Sequence, residues 1–188
     1  DPVFKGVYPA TRIPESDYPV ILPGDMERIA EPLDFLGINH YSSTWFSMGS
    51  DGEPMQVQMN LPQTDRGWAI YPDGFREMLL KVTAEYGKIP IYITENGASN
   101  PDVISSDGNV HYQLRVDYYK GYLMALHQAI SEGVDVRGYF AWSLLDNFEW
   151  EEGYSSRFGL VYVDFNTLKR TIKDSGIMYA KIIKDNGL

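Results

Sequence analysis

The chain has 188 residues, 44% apolar and 22% charged, the proportions of an ordinary globular domain long enough to bury a core. A formal net charge of -10 argues against nucleic acid or an anionic membrane surface as partner, and the absence of cysteine excludes disulfides, cysteine–zinc sites and thiol nucleophiles. No apolar run approaches the length of a membrane span.

The opening stretch, DPVFKGVYPA, has neither the basic nor the apolar region of a signal peptide, so the cytoplasm is the expected compartment. It does not begin with Met, which fits a processed or truncated chain. Six of the eleven prolines fall in the first 32 residues, and residues 1–24 read as an irregular lead-in. A short helix is expected near Asp25 to Ala30, then a buried strand over 33–39 (LDFLGIN). Residues 44–65 are polar with scattered Gly, Pro and Asn, and read as a long excursion loop.

Phe75, Met78, Leu79, Val82 and Tyr86 recur at helical spacing and predict a helix over 71–87 that stops at Gly87. IPIYIT, residues 89–94, reads as a strand buried on both faces. A turn at Asp107-Gly108 leads to a long helix over 111–131, with Tyr118, Tyr122, Leu126 and Ile130 on one face, closed by Gly133. VRGYFAWSLLD, residues 136–146, is the third apolar strand. Residues 158–173 alternate and turn at Asn166-Thr167 as a hairpin, and Asp174-Ser175 is positioned to cap a last helix reaching about Lys184. Strands alternating with helices indicate a parallel sheet covered by helices, whose sites form at the carboxyl ends of the strands.

Those ends hold the candidate chemistry. Glu95 closes the second strand and is followed at once by Asn96 and Gly97. Taken alone, a carboxylate there is as consistent with a turn cap or an ion pair as with a nucleophile, a base or a metal ligand. After the third strand, Glu149 sits between Phe148 and Trp150. A carboxylate flanked by aromatic rings suits a sugar, accepting from hydroxyls beside flat apolar walls. The competing interpretation is an aromatic cluster under a loop with an exposed acid.

The segments ITENG, AWSLLDNFEW, EGYSSRFGLVYVD and KRTIKDS, with DFLGINHYSS and GWAIYPDGF upstream, resemble in order and spacing the retaining β-glycosidases of glycoside hydrolase family 1. The likeness runs from about Asp1 to about Tyr179. It implies an α/β fold, the C-terminal portion of a (β/α)8 barrel, with about three barrel strands plus a hairpin in one domain, incomplete on its own. Glu95 matches the family's nucleophile, and Tyr41 the tyrosine that orients it. The resemblance places Asn39, Trp68, Trp142, Glu149, Trp150 and Phe158 in substrate binding. Trp142 would lie beneath the sugar ring, Glu149 and Trp150 would read its outer hydroxyls, Phe158 would sit near its hydroxymethyl group, and Trp68 would wall the aglycone side. It implies no cofactor and no metal.

Two positions depart from the pattern. His40 stands where tyrosine is usual and reads as a packing residue, and Glu151 adds an acid near the rim. His111 and His127 read as structural. The Asn-Glu-Pro motif that carries the family's acid/base does not occur, so no acid/base is assigned in this chain. The expected partners are a β-glucoside or short β-linked oligosaccharide, and either the N-terminal half of the same barrel or further copies meeting at open sheet edges. The expected function is hydrolysis of neutral β-glucosides at the non-reducing end. The alternative is a catalytically silent half-barrel with at most weak sugar binding.

Overall fold

Three short strands make one parallel sheet in the order β1-β4-β5: β1 is Leu36–Asn39, β4 is Ile91–Asn96 and β5 is Val136–Ala141. The computed structural model describes residues 1–9 and 19–188. Helix α3 (Pro72–Tyr86) leads into β4, and α4 (Gln113–Ser131) links β4 to β5. Both helices and the C-terminal α5 (Asp174–Asp185) pack against one another and the sheet. Pro72 supplies the first turn of α3, where its missing N–H costs nothing, and Gly87 ends that helix at φ 86°.

Side-chain alternation divides the sheet. Leu36, Ile38, Ile91, Ile93, Val136 and Tyr139 face the helices and meet Phe75, Leu79, Tyr118, Tyr119 and Tyr122 in the core. The other face carries Phe35, Thr94 and Phe140, all exposed, with Phe35 edge-on to Tyr92 at 5.3 Å. The expected strand buried on both faces is therefore buried on one. Helices cover a single side of the sheet among the described residues, so Ile91 and Ile93 are enclosed while Thr94 is not.

Other elements also differ from expectation. Residues 44–65 contain an antiparallel hairpin, β2 (Trp45–Met48) with β3 (Pro54–Val57). The lead-in begins with one helical turn, α1 (Pro2–Lys5), and the part of it at residues 10–18 lies outside the described residues. The short helix α2 is Asp25–Ile29. The third strand stops at Ala141, and Leu144 and Leu145 lie in the exposed segment beyond it. On α4, Tyr118, Tyr122 and Leu126 are buried as expected, Ile130 is exposed, and Tyr119, Ala125 and Ala129 widen the buried face. The hairpin is β6 (Val161–Val163) with β7 (Arg170–Ile172). Lys173 holds the N-cap position of α5 and no side chain caps that end, because Asp174 turns to His111.

A tyrosine-rich core needs partners for its hydroxyls. The Nδ2 amide of Asn96, fully buried, donates to the His40 carbonyl at 2.7 Å and to Tyr118 Oη at 3.0 Å. Its Oδ1 accepts from Tyr139 Oη at 2.6 Å. One amide thus ties the ends of β1, β4 and β5 to α4.

A second buried network lies beyond the strand ends. Asp102 pairs with Arg115 at 2.6 Å and Lys173 at 2.5 Å, and Asp146 pairs with Lys173 at 2.7 Å and Arg157 at 2.6 Å. Charges alternate along this chain of five groups, so each buried carboxylate has two cationic neighbours. Asp146 also accepts from the backbone N–H groups of Gly159 and Val163. Burial, followed by the nearby Arg115 charge, depresses the Lys173 pKa.

Candidate active site

The carboxyl ends of β1, β4 and β5 open into a cavity of about 830 Å³. Its wall includes Tyr41 just past β1, Glu95 near the end of β4, and Trp142 just past β5. The three residues Glu95, Asn96 and Gly97 divide the labour there. Glu95 lines the cavity, Asn96 turns into the core, and Gly97 allows two backbones to meet. A Cβ at Gly97 would stand 1.9 Å from the Trp142 carbonyl oxygen, so any side chain there collides with the neighbouring strand end. The peptide bond between Trp142 and Ser143 is cis.

Tyr41 Oη donates to Glu95 Oε2 at 2.6 Å, the short distance of a hydrogen bond to a carboxylate. Burial first, and then this bond to Glu95, push the Tyr41 phenol well above its ordinary pKa, so it remains a donor at any ordinary pH. Across the cavity Trp142 Nε1 donates to Glu149 Oε1 at 3.1 Å. Burial raises the Glu149 pKa, while the Trp142 bond and the charge of Arg66 oppose that rise.

Trp68 and Phe158 complete the wall. Tyr41 lies 5.5 Å from Trp68 and 6.0 Å from Phe158, measured between ring centroids. Trp68 sits on a tight turn: Gly67 adopts φ 73° and Thr64 N–H donates to the Trp68 carbonyl at 3.0 Å. The same turn presents Arg66, whose guanidinium lies 4.8 Å over the Trp68 ring and 3.3 Å from Glu152. Ser99 donates to Asp65 of this turn, joining it to the segment after β4. Trp150 is 85% exposed and stands at the rim with Glu151.

Seven of the eight residues expected from the sequence thus surround one cavity: Tyr41, Trp68, Glu95, Trp142, Glu149, Trp150 and Phe158. Asn39 does not join them. It stands on the exposed face of the sheet, where its Oδ1 accepts from Thr94 Oγ1 at 2.6 Å. Arg66 and Phe148 also line the cavity and were not anticipated as site residues. Phe148 had a visible signal in its position beside Glu149, whereas Arg66 lies in a polar loop with no motif to mark it.

His40 packs against Phe75 at 4.8 Å and Tyr122 at 5.8 Å, and burial pushes its pKa down to about 4, so the ring is neutral. His111 bridges Asp174 at 2.7 Å and Asp107 at 2.9 Å, away from the cavity wall. Among the described residues no group of three or more His, Asp or Glu side chains is placed to hold a metal ion. No helix of the described residues is long and apolar enough to cross a membrane.

The cavity therefore presents a hydrogen-bonded carboxylate facing a second one, with three tryptophans between and around them. Residues 1–188 match the sequence model described as Glycosyl hydrolase family 1. β-Glucosidase A of Thermotoga maritima is 46% identical over the whole of this chain, which covers 43% of that protein. β-Glucosidase A of Acetivibrio thermocellus is 41% identical, again over the whole chain and 44% of the relative. The family 1 β-glucosidase structure from Thermotoga maritima superposes with a TM-score of 0.94 at 47% identity, over all of this chain and 43% of that one. A complex of the Thermotoga maritima β-glucosidase with glucoimidazole gives a TM-score of 0.92 over the same share. The chain spans less than half the length of these relatives, and its strands and helices form part of a (β/α)8 barrel. It belongs to glycosyl hydrolase family 1.

Proposed function

We propose that this chain provides the nucleophile and much of the sugar-binding wall of a retaining β-glucosidase acting on neutral β-glucosides. The observation that carries this reading is the 2.6 Å hydrogen bond from Tyr41 to Glu95 inside a tryptophan-lined cavity. A carboxylate nucleophile must be ionised and held in one rotamer. A phenol kept protonated by burial serves both needs, since it donates to the charged form.

In this reading Glu95 attacks the anomeric carbon, the bond to the leaving oxygen breaks, and a glycosyl ester forms on Glu95. Water then hydrolyses the ester. Trp142 lies under the sugar ring, and its indole N–H holds Glu149 for the outer hydroxyls. A buried acid at Glu149 disfavours a phosphorylated sugar. Relatives named as β-glucosidases support the substrate class, and the complex of the Thermotoga enzyme with glucoimidazole supports binding of glucoside-like ligands.

Retention requires a second carboxyl group about 5–5.5 Å from the nucleophile to protonate the leaving oxygen. The sequence contains no Asn-Glu-Pro segment to supply it. We assign that proton to the complementary part of a barrel. Without it the chain should lose the contribution of a general acid, about 10²- to 10⁴-fold in rate for ordinary glucosides and less for activated aryl glucosides. The exposed Phe35 and Phe140 on the open sheet face favour pairing with such a part or with further copies. That same exposure supports the second reading, a silent half-barrel.

The test is intact mass after incubation with a 2-deoxy-2-fluoro-β-glucoside bearing a dinitrophenolate leaving group. The chain is assayed alone and mixed with the complementary portion of a family 1 barrel. One fluoroglucosyl adduct mapping to Glu95, and lost in Glu95→Gln, is the expected result. No adduct in either mixture, with both parts folded, sinks the nucleophile assignment and leaves the silent half-barrel.

A further inference from the structure

Two segments distant in sequence share the wall of the main cavity: the turn bearing Arg66 and Trp68, and the loop bearing Glu149, Trp150 and Glu151. Arg66 joins them. Its guanidinium lies 4.8 Å over the Trp68 ring on its own turn, and reaches Glu152 Oε1 at 3.3 Å and Ser156 Oγ at 3.5 Å on the loop. The loop needs such a hold. Trp150 adopts φ 44° and is 85% exposed, so a bulky residue sits in the left-handed region with little burial of its own ring. Such a conformation persists only where neighbouring contacts fix it. Within the loop, Glu149 N–H donates to the Gly153 carbonyl at 2.7 Å and Glu152 N–H donates to the Glu149 carbonyl at 2.8 Å. Phe148 meets Tyr154 edge-on at 5.4 Å and braces it further. Because Glu152 is bonded to Glu149, an anchor on Glu152 also places Glu149.

The charge of Arg66 matters as much as its reach. Among the described residues lining the cavity it is the one cation, beside Glu95, Glu149 and Glu151. Glu149 shares the space with Glu95 from β4 and Tyr41 from beyond β1, and has Glu151 and Glu152 on its own loop. Burial, and more weakly the charge of Glu95, favours its protonated form. The Trp142 N–H, the charge of Arg66 and Asn147 favour the ionised form. Only the ionised carboxylate is purely an acceptor, which is what donating sugar hydroxyls require.

We propose that Arg66 is a positioning residue for the sugar site: it straps the Trp68 turn to the Glu149 loop and supplies the positive charge that suits Glu149 to accept from sugar hydroxyls. The proposal rests on the glucosidase reading of the cavity. It gives Arg66 a part in substrate binding and none in the bond-making step at Glu95.

Two readouts test it, with Arg66→Met retaining most of the side chain's bulk and Arg66→Lys retaining its charge. The first is the pH titration of the Glu149 carboxyl carbon by NMR in chain labelled with isotopic glutamate, assigned by its absence in Glu149→Gln. Its midpoint should rise by about 0.5–1 pH unit in Arg66→Met and stay near the parent's in Arg66→Lys. The second is the concentration dependence of trapping by the fluoroglucoside, with and without the complementary portion of a barrel. Arg66→Met should weaken binding by about 3- to 10-fold and leave the limiting trapping rate unchanged. A midpoint that does not move, or that moves equally in Arg66→Lys, overturns the proposal. Parental binding in Arg66→Met overturns it too, while the adduct on Glu95 would still stand for the cavity. No adduct on the parent in either mixture refutes the glucosidase reading itself, and the proposal falls with it.

Discussion

Replacing Gly97 with alanine tests whether the meeting of two strand ends sets the geometry of the cavity. The added Cβ would lie 1.9 Å from the Trp142 carbonyl oxygen. An ordinary contact is about 3.4 Å, so the two backbones must part by about 1.5 Å. Neither neighbour can swing aside, because Trp142 N–H donates to the Asn96 carbonyl at 2.9 Å and Tyr119 Oη donates to the Trp142 carbonyl at 3.2 Å. Gly97 does not occupy the left-handed region, so the obstacle is space rather than torsion. Where room exists, Gly→Ala stabilises by about 0.4–1 kcal/mol through the unfolded chain. Here overpacking by about 1–3 kcal/mol should reverse that sign. Displacing Trp142 also shifts the indole that holds Glu149, and a misplacement of about 1 Å can slow the trapping of Glu95 by about 10²-fold. Urea unfolding followed by tryptophan fluorescence, alongside the adduct rate, measures both effects. A Gly97→Ala chain as stable as the parent, with an unchanged trapping rate, would refute the argument.

Three further outcomes are expected. Tyr41→Phe removes a hydrogen bond to a charged acceptor, worth about 1.5–3 kcal/mol, and should slow adduct formation by about 10- to 150-fold while circular dichroism stays unchanged. Asp146→Ala leaves Lys173, Arg157 and the Gly159 N–H short of a partner in the interior. It should lower the unfolding free energy by about 3–5 kcal/mol, and a loss below about 1 kcal/mol would contradict the network's role. The pKa of His111 is raised to about 9 by hydrogen bonds to Asp107 and Asp174, so its contribution to stability is full below about 6.5 and disappears as pH rises through about 9. The urea midpoints of parent and His111→Gln should therefore converge over that window, and a constant gap would count against the clasp.

The sequence disclosed these features unevenly. Helices α3 and α4 were legible because their apolar spacing extends over three or more turns, α5 from the Asp174-Ser175 pair at its start, and β4 because six β-branched or apolar residues stand together. The β2–β3 hairpin was not. Its strands expose Phe46, Met48 and Met55, so the alternation that marks a half-buried strand is missing, and only Asp51-Gly52 hints at its turn. The third strand was drawn too long because Leu144 and Leu145 extend the apolar run into a segment that leaves the sheet. Around the cavity, Glu95 and Glu149 were readable from local motifs, whereas Arg66 depends on a turn whose path no short motif encodes. Asn96 was visible only as a turn residue, and its bonds to β1, α4 and β5 come from segments 22 to 56 positions away.

The five alternating charges also bear on the order in which the chain can finish folding. Lys173 neutralises both Asp102 and Asp146, and these stand in the segments that follow β4 and β5. Until residue 173 has left the ribosome, each carboxylate retains one arginine and lacks its second cation. The segments that follow β4 and β5 already meet through the Arg115 and Asn100 bonds to the Arg157 carbonyl, and they gain their shared buried cation only when β7 and α5 arrive. A nascent chain arrested just before Lys173 should remain open to protease at the very strand ends that later form the cavity. The terminal hairpin and helix act in this sense as a completion signal for a site to which they contribute no wall.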